Sequence, residues 1–302
     1  MSFEKLQLPS FAKINWFLRV LGKRKDDYHE LCTAFQTISL SDTLTFAAAD
    51  TLSLTCNDPK IPTDERNLII NAAEKLRREF RITKGASVTL KKRIPSPGGL
   101  GGGSSNAAVA LMGLSVLWDL PVDRERLVQI GAQIGADVPF FFTGGTAIGK
   151  GTGTEISPAP EKENKFLALI APKVEISTAK AFEKLGSARL TKKDVKSILQ
   201  ICCDDAEGLE SGHLEFFNDF ENVVFKMEPQ IGRTKEKLLD YGAAAALMTG
   251  SGASVFGIFD NDSDRQAALN SFDDGVEKFA VETISRQEYR KYLEPCRHLL
   301  FG

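Results

Sequence analysis

The chain has 302 residues, 42% of them apolar and 26% charged, the balance of an ordinary folded protein long enough for two domains. Its 38 Lys and Arg against 40 Asp and Glu leave a formal charge of −2, which excludes the diffuse basic field of a general nucleic-acid binder. A mean hydropathy of −0.15 and short apolar runs exclude membrane-spanning helices, which need roughly 20 apolar residues.

In chain order, the apolar run Ile14–Leu21 is followed by the alternating stretches 38–40, 44–46 and 52–56, a period-two pattern that predicts antiparallel strands. Leu68, Ile69, Ala72, Ala73, Leu76 and Phe80 share one face of a predicted helix over 67–80. Val88 and Leu90 mark a strand that runs into Pro95. An apolar helix is expected from Ser105 to about Leu117. Asp123 reads as the N-cap of another, which stops at Gly135. Pro158-Ala159-Pro160 and the charged 161–163 suggest a boundary, giving domains 1–158 and 159–302. Beyond it, strands are predicted near 166–170, 244–248, 254–259 and 279–283, with a helix between the last two. Ser177 and Thr191 read as caps, and Gly186 and Gly242 as helix stops. The mixture predicts an α+β fold.

Chemistry concentrates in Pro95-Ser96-Pro97-Gly98-Gly99-Leu100-Gly101-Gly102-Gly103-Ser104-Ser105. Five glycines in six positions cost backbone entropy on folding. Without Cβ atoms, however, successive N–H groups can close on an anion, and the helix that follows adds its positive end. A flexible linker would not join a strand directly to an Ala-rich helix. The loop lacks the Lys of GxxxxGK[ST] and the third glycine of GxGxxG, and Gly144–Lys150 fails the first motif at Gly151. Five scattered cysteines without a CxxC pair and three distant histidines (His29, His213, His298) provide no metal-ligand spacing. Free thiols and an early acid without a leader-like apolar run suggest a cytoplasmic protein.

The glycine loop resembles the phosphate loop of the GHMP small-molecule kinases. Four further segments resemble that superfamily in order: Ser10–Leu18, Asp27–Leu31, Gly135–Phe141 and Met248–Phe256. Together they are similar to the branch that phosphorylates 4-diphosphocytidyl-2-C-methyl-D-erythritol in non-mevalonate isoprenoid synthesis. The resemblance implies a two-domain GHMP fold with the active site in the cleft. It implies ATP as co-substrate with Mg²⁺, transfer to the acceptor's 2-hydroxyl with release of ADP, and no nucleic-acid or membrane partner. No residue is assigned as a Mg²⁺ ligand.

By the same resemblance, Asp137 is the base for the acceptor hydroxyl, although a lone Asp after Gly-Ala is otherwise an ordinary turn or cap. Lys13, costly in an apolar strand unless paired, would partner it and offset phosphoryl charge. Asn15, two residues on, shares its face. The cytosine is expected between Tyr28 and Phe182, with His29 reading its edge, Phe35 lining the pocket and Thr178 near the acceptor hydroxyl. For Phe35 and Phe182, plain core is the alternative. Asn67, Lys92 and Asn106 match positions that approach ATP; Asn67 would serve equally as a helix cap and Lys92 as a solvated strand residue. Gly250, Ser251 and Gly252 would line the site from the second domain, or simply form a turn. Pro97, Phe11 and Thr249 depart from the family pattern, Phe11 standing where Pro-Ala is common. A homoserine or mevalonate type of kinase, or a non-catalytic nucleotide-binding protein, are the other readings.

Overall fold

A computed structural model describes residues 5–25, 27–164, 166–185 and 216–300. Gly186, Thr191, Cys202, Cys203 and His213 lie outside the described residues. The fold is α+β, built on two sheets.

The first sheet is organised by two long antiparallel strands, β1 (Lys5–Lys23) and β2 (His29–Ala49). The run 14–21 and the stretches 38–40 and 44–46 read from the sequence are pieces of these strands. Register shifts at Phe11/Ala12, Asn15/Phe17 and Val20/Gly22 interrupt the alternation that would have joined them. β3 (Leu52–Cys56) corrects another expectation, because it pairs in parallel with β4 (Gly85–Lys91). Parallel pairing needs a crossover, and α1 (Leu68–Phe80) supplies it. The hairpin of β5 (Thr146–Gly151) and β6 (Glu155–Pro158) adds to β2.

Helices α1 (Leu68–Phe80) and α2 (Gly102–Trp118) pack on this sheet, and α3 (Arg124–Ala132) packs on α2. Asn67 caps α1, its Oδ1 accepting from the N–H of Ile69 at 2.9 Å, and Ile69, Ala72, Ala73 and Leu76 face inward. α2 (Gly102–Trp118) starts three residues before the expected Ser105, since Gly101 adopts a positive φ of 67° as its N-cap. It is apolar on every side and therefore central. At Gly113 a Cβ would lie 2.6 Å from the Phe46 ring, so glycine lets the helix rest on the sheet. Asp123 caps α3 (Arg124–Ala132), which ends three residues before Gly135. A buried 3-10 segment, Val138–Phe142, follows.

The second sheet has the order β11-β7-β10-β9, with β7 (Leu167–Pro172), β9 (Ala245–Met248), β10 (Val255–Ile258) and β11 (Val276–Val281). Between β7 and β9 the chain contributes β8 (Phe217–Asn218), which joins the first sheet beside β1. α4 (Thr178–Leu185), α5 (Glu221–Met227), α6 (Pro229–Asp240) and α7 (Asp262–Ser271) belong to this half. The two halves share a core in which Ala12, Ile14, Trp16, Ile38 and Leu40 meet Leu167, Leu169, Leu247 and Phe256. α8 (Arg286–Tyr292) and the 3-10 segment Glu294–Leu299 return to the first core through Tyr289, Leu293, Cys296 and Leu299. Among the described residues no helix is long and apolar enough to cross a membrane.

Candidate active site

A cleft of about 1220 Å³ is lined by β1, β2, the glycine loop, the turn before Val138, the start of α4 and the turn after β9. Lys13, Asn15, Tyr28, His29, Phe35, Pro97, Gly99, Gly101, Asp137, Thr178, Phe182 and the Gly250-Ser251-Gly252 turn all border it.

Lys13 is 3% exposed, and its Nζ lies 3.4 Å from Oδ2 of Asp137, whose side chain is 32% exposed. The same ammonium donates to Asn15 Oδ1 at 2.9 Å and sits 5.6 Å from the centre of the Phe35 ring. Residues 124 positions apart thus form a carboxylate–ammonium pair with its acidic member open to the cleft. Asn15 is buried at 1% exposure. Its Oδ1 also accepts from Thr249 Oγ1 at 3.1 Å and from the N–H of Gly250 at 3.0 Å, while Nδ2 donates to Thr33 Oγ1. Asn15 therefore ties Lys13 to the turn from the second half.

The glycine loop is held against both partners. The N–H of Lys13 donates to Leu100 O, and the N–H of Ser254 donates to Gly98 O. Gly99, at φ 73°, lies so close to the turn that a Cβ would stand 2.1 Å from Thr249 O. A Cβ on Gly101 would meet Lys13 Cγ at 2.9 Å. The loop opens directly into α2, whose first-turn N–H groups have no acceptor within the helix. That arrangement suits an anion.

The remaining loop and nucleotide-side residues divide. Ser105 is fully buried and accepts from Ser10 Oγ at 2.7 Å, whereas Ser104 is half-buried beside Gly135. Asn106 is 3% exposed, and its Oδ1 has no hydrogen-bond partner among the described residues. Asn67 spends both side-chain groups locally, on the N–H of Ile69 and on Pro62 O. The Lys92 ammonium is buried in a pair with Asp42 at 2.8 Å. It lies beneath the start of α2, 3.2 Å from where a Gly102 Cβ would be.

At the far end of the cleft, Tyr28 is 66% exposed. The His29 ring stacks on Phe182, 4.5 Å between centroids and 19° between planes. Phe182 in turn meets Phe220 edge-on at 4.8 Å, and Thr178 Oγ1 lies 2.8 Å from Ser251 Oγ. Burial, and then the neighbouring Lys23, hold His29 below the ordinary imidazole value of 6.5. Phe35 is 2% exposed and stacks on Phe140 at 4.9 Å. Sequence reasoning missed Asp42, Thr33 and the hydrogen-bonding part of Thr249. Asp42 carries no local signal, because its partners lie 50 residues away.

The GHMP kinases N terminal domain matches residues 67–145, and the GHMP kinases C terminal domain matches 190–278. The chain is 38% identical over 288 residues to the 4-diphosphocytidyl-2-C-methyl-D-erythritol kinase of Bacillus mycoides, covering 94% of this chain and 99% of that protein. It is 36% identical to the kinase of the same name from Gloeobacter violaceus, covering 92% and 94%. A crystal structure of 4-(cytidine 5'-diphospho)-2C-methyl-D-erythritol kinase superposes with a TM-score of 0.76 at 27% identity, covering 92% of this chain and 99% of that one. A homoserine kinase from Cytophaga hutchinsonii, 17% identical with a TM-score of 0.70 over 95% and 96%, shares the fold. The chain belongs to the GHMP kinases, in the family of the 4-diphosphocytidyl-2-C-methyl-D-erythritol kinases.

Proposed function

We propose that this kinase transfers the γ-phosphoryl group of ATP to the 2-hydroxyl of 4-diphosphocytidyl-2-C-methyl-D-erythritol, as a cytoplasmic enzyme of isoprenoid precursor synthesis. The observation that carries the reading is the Lys13–Asp137 pair beside the glycine loop, in a cleft whose other end presents Tyr28, His29 and Phe182. Asp137 accepts the hydroxyl proton as the acceptor oxygen bonds to the γ-phosphorus and the bond to ADP breaks. Lys13, held by Asn15, offsets the negative charge spreading over the phosphoryl oxygens. The loop 95–105 and the start of α2 cradle the nucleotide phosphates, with Asn67, Lys92 and Asn106 shaping that side. Residues 1–158 and 159–302 act as the two domains, the last turns of the second bracing the first.

Among the described residues no cluster of three His, Cys, Asp or Glu side chains would hold a metal by itself. Mg²⁺ commonly keeps several waters and uses one or two carboxylates plus substrate phosphates. Asp137 is committed to Lys13 and to the acceptor proton, so the ion would arrive with ATP, held by the phosphates and water. When bound with ATP, such an ion would supply charge neutralisation to the nucleotide phosphates.

A coupled ADP-release assay tests the reading. Turnover is expected with the cytidine-bearing alcohol, and turnover only with mevalonate or homoserine would remove it. Stacking a base on an aromatic ring contributes about 1–3 kcal/mol. Tyr28→Ala is therefore expected to raise KM for the acceptor roughly 5- to 150-fold, with KM for ATP unchanged. A neutral His29 is the form that reads the base edge, so KM for the acceptor should be flat above pH 6.5 and rise as pH falls through the lowered imidazole pKa. His29→Gln should abolish that rise; a profile as steep as the parent's would assign it to another group.

A further inference from the structure

The C-terminal helix lies outside both matched domains, which end at residues 145 and 278, and yet it packs against the two segments that carry the catalytic pair. α8 is fixed at its start by a capping box between Ser285 and Glu288, and Arg286 Nη2 donates to the carbonyls of Thr146 and Ala159. Three residues further on, Tyr289 is fully buried. Its hydroxyl donates to Phe141 O at 2.5 Å.

The carbonyl has no competing use for that bond in the local helix. The N–H groups of Thr143 and Gly144 both go to Phe140 O, so the end of the 3-10 segment is closed on Phe140 and the Phe141 carbonyl is left to Tyr289. A buried carbonyl without a partner is costly, which makes this hydroxyl a specific fastening rather than general packing. The ring fits with no slack, since a Cβ on Gly144 would stand 2.2 Å from Tyr289 Cδ1. On its other side the ring contacts Phe11 at 5.8 Å, and Tyr292 contacts Phe11 at 5.2 Å. Phe11 is thus the floor on which α8 rests. Phe11 precedes Lys13 by two residues, and Phe141 lies four residues past Asp137. Burial keeps the Tyr289 phenol well above its ordinary value, so it remains a neutral donor.

We infer that Tyr289 is a positioning residue for Asp137, holding the 3-10 segment Val138–Phe142 from behind so that the carboxylate at its head stays within reach of Lys13 and the acceptor. The inference rests on the reading of Asp137 as base. Its test is a double-mutant cycle in the rate of phosphoryl transfer, followed in single turnovers with full-length enzyme well below the Tm of every variant. Tyr289→Phe keeps the ring and deletes the bond. It is expected to lower kcat about tenfold, with both KM values within twofold, and to produce no further loss in an Asp137→Asn background. Tyr292→Leu, which removes an exposed ring that touches Phe11 from the end of α8, should stay within twofold of the parent. A Tyr289→Phe rate within twofold of the parent would reduce the contact to a structural one. The same tenfold loss persisting without the carboxylate would show that Tyr289 acts elsewhere, and either result overturns the inference while leaving the base intact. Full turnover by Asp137→Asn alone removes the base, and this inference with it.

Discussion

Asp137→Asn is expected to lower kcat by about 10³-fold, within the roughly 10²–10⁴ that a positioned acid–base group contributes, with KM for ATP and acceptor moved only a few-fold. The amide fills the same space, so the cleft, the loop and the Asn15 bridge keep their geometry. What is lost is the ability to take the hydroxyl proton as the new O–P bond forms. The side chain is 32% exposed, so its interaction with Lys13 is partly screened. The buried Lys13 ammonium keeps Asn15 Oδ1 and can donate to the new amide oxygen, so Tm should fall only modestly. That separation matters, because a large drop in kcat with a nearly intact melting curve isolates chemistry from folding. Turnover by Asp137→Asn within tenfold of the parent would leave positioning and electrostatics by Lys13 and the loop as the whole of catalysis, and the carboxylate would lose its role.

Legibility followed the range of the interactions. The caps at Asn67 and Asp123 were readable because a cap acts on N–H groups two or three residues away. The glycine loop was readable because its composition has few uses other than close approach. The early start of α2 was not, since glycine at 102 and 103 argues locally against a helix. The length of β1 and β2 was hidden by bulges, and the parallel pairing of β3 depends on where a distant crossover lands. The meeting of Lys13 with Asp137 came from family resemblance, not from the residues' own pattern. Nothing local shows that Lys92 would be buried, because its partner Asp42 sits on another strand. Tyr289 is further out of reach, 148 residues from the carbonyl it fastens.

That hidden partner of Lys92 carries the second large expectation: Asp42→Asn should destabilise the fold by about 3–5 kcal/mol, the range for breaking a buried pair from one side. Asp42 is completely buried, and each of its oxygens is committed. Oδ1 accepts from the N–H groups of Arg93 at 2.7 Å and Ile94 at 2.8 Å, and Oδ2 accepts from Lys92 Nζ at 2.8 Å. Lys92 Nζ also donates to Ile94 O, and Asn57 takes the backbone N–H and C=O of Lys92. The carboxylate thus gathers residues 92–94 into one shape immediately before the chain enters the glycine loop at Pro95. An amide can replace only part of this set and must turn a donor toward either the ammonium or an N–H. The ammonium is then left in a space 7% open to solvent without a counter-charge. Because the strain falls on the entrance of the phosphate loop, KM for ATP should rise while KM for the acceptor holds. Urea unfolding read alongside both constants checks this. Lys92→Met on the Asp42→Asn background should recover part of the stability by removing the stranded charge, giving a positive coupling in the cycle. A cost below 1 kcal/mol for Asp42→Asn, or a change confined to the acceptor's KM, would show that the pair neither holds the fold nor shapes the loop.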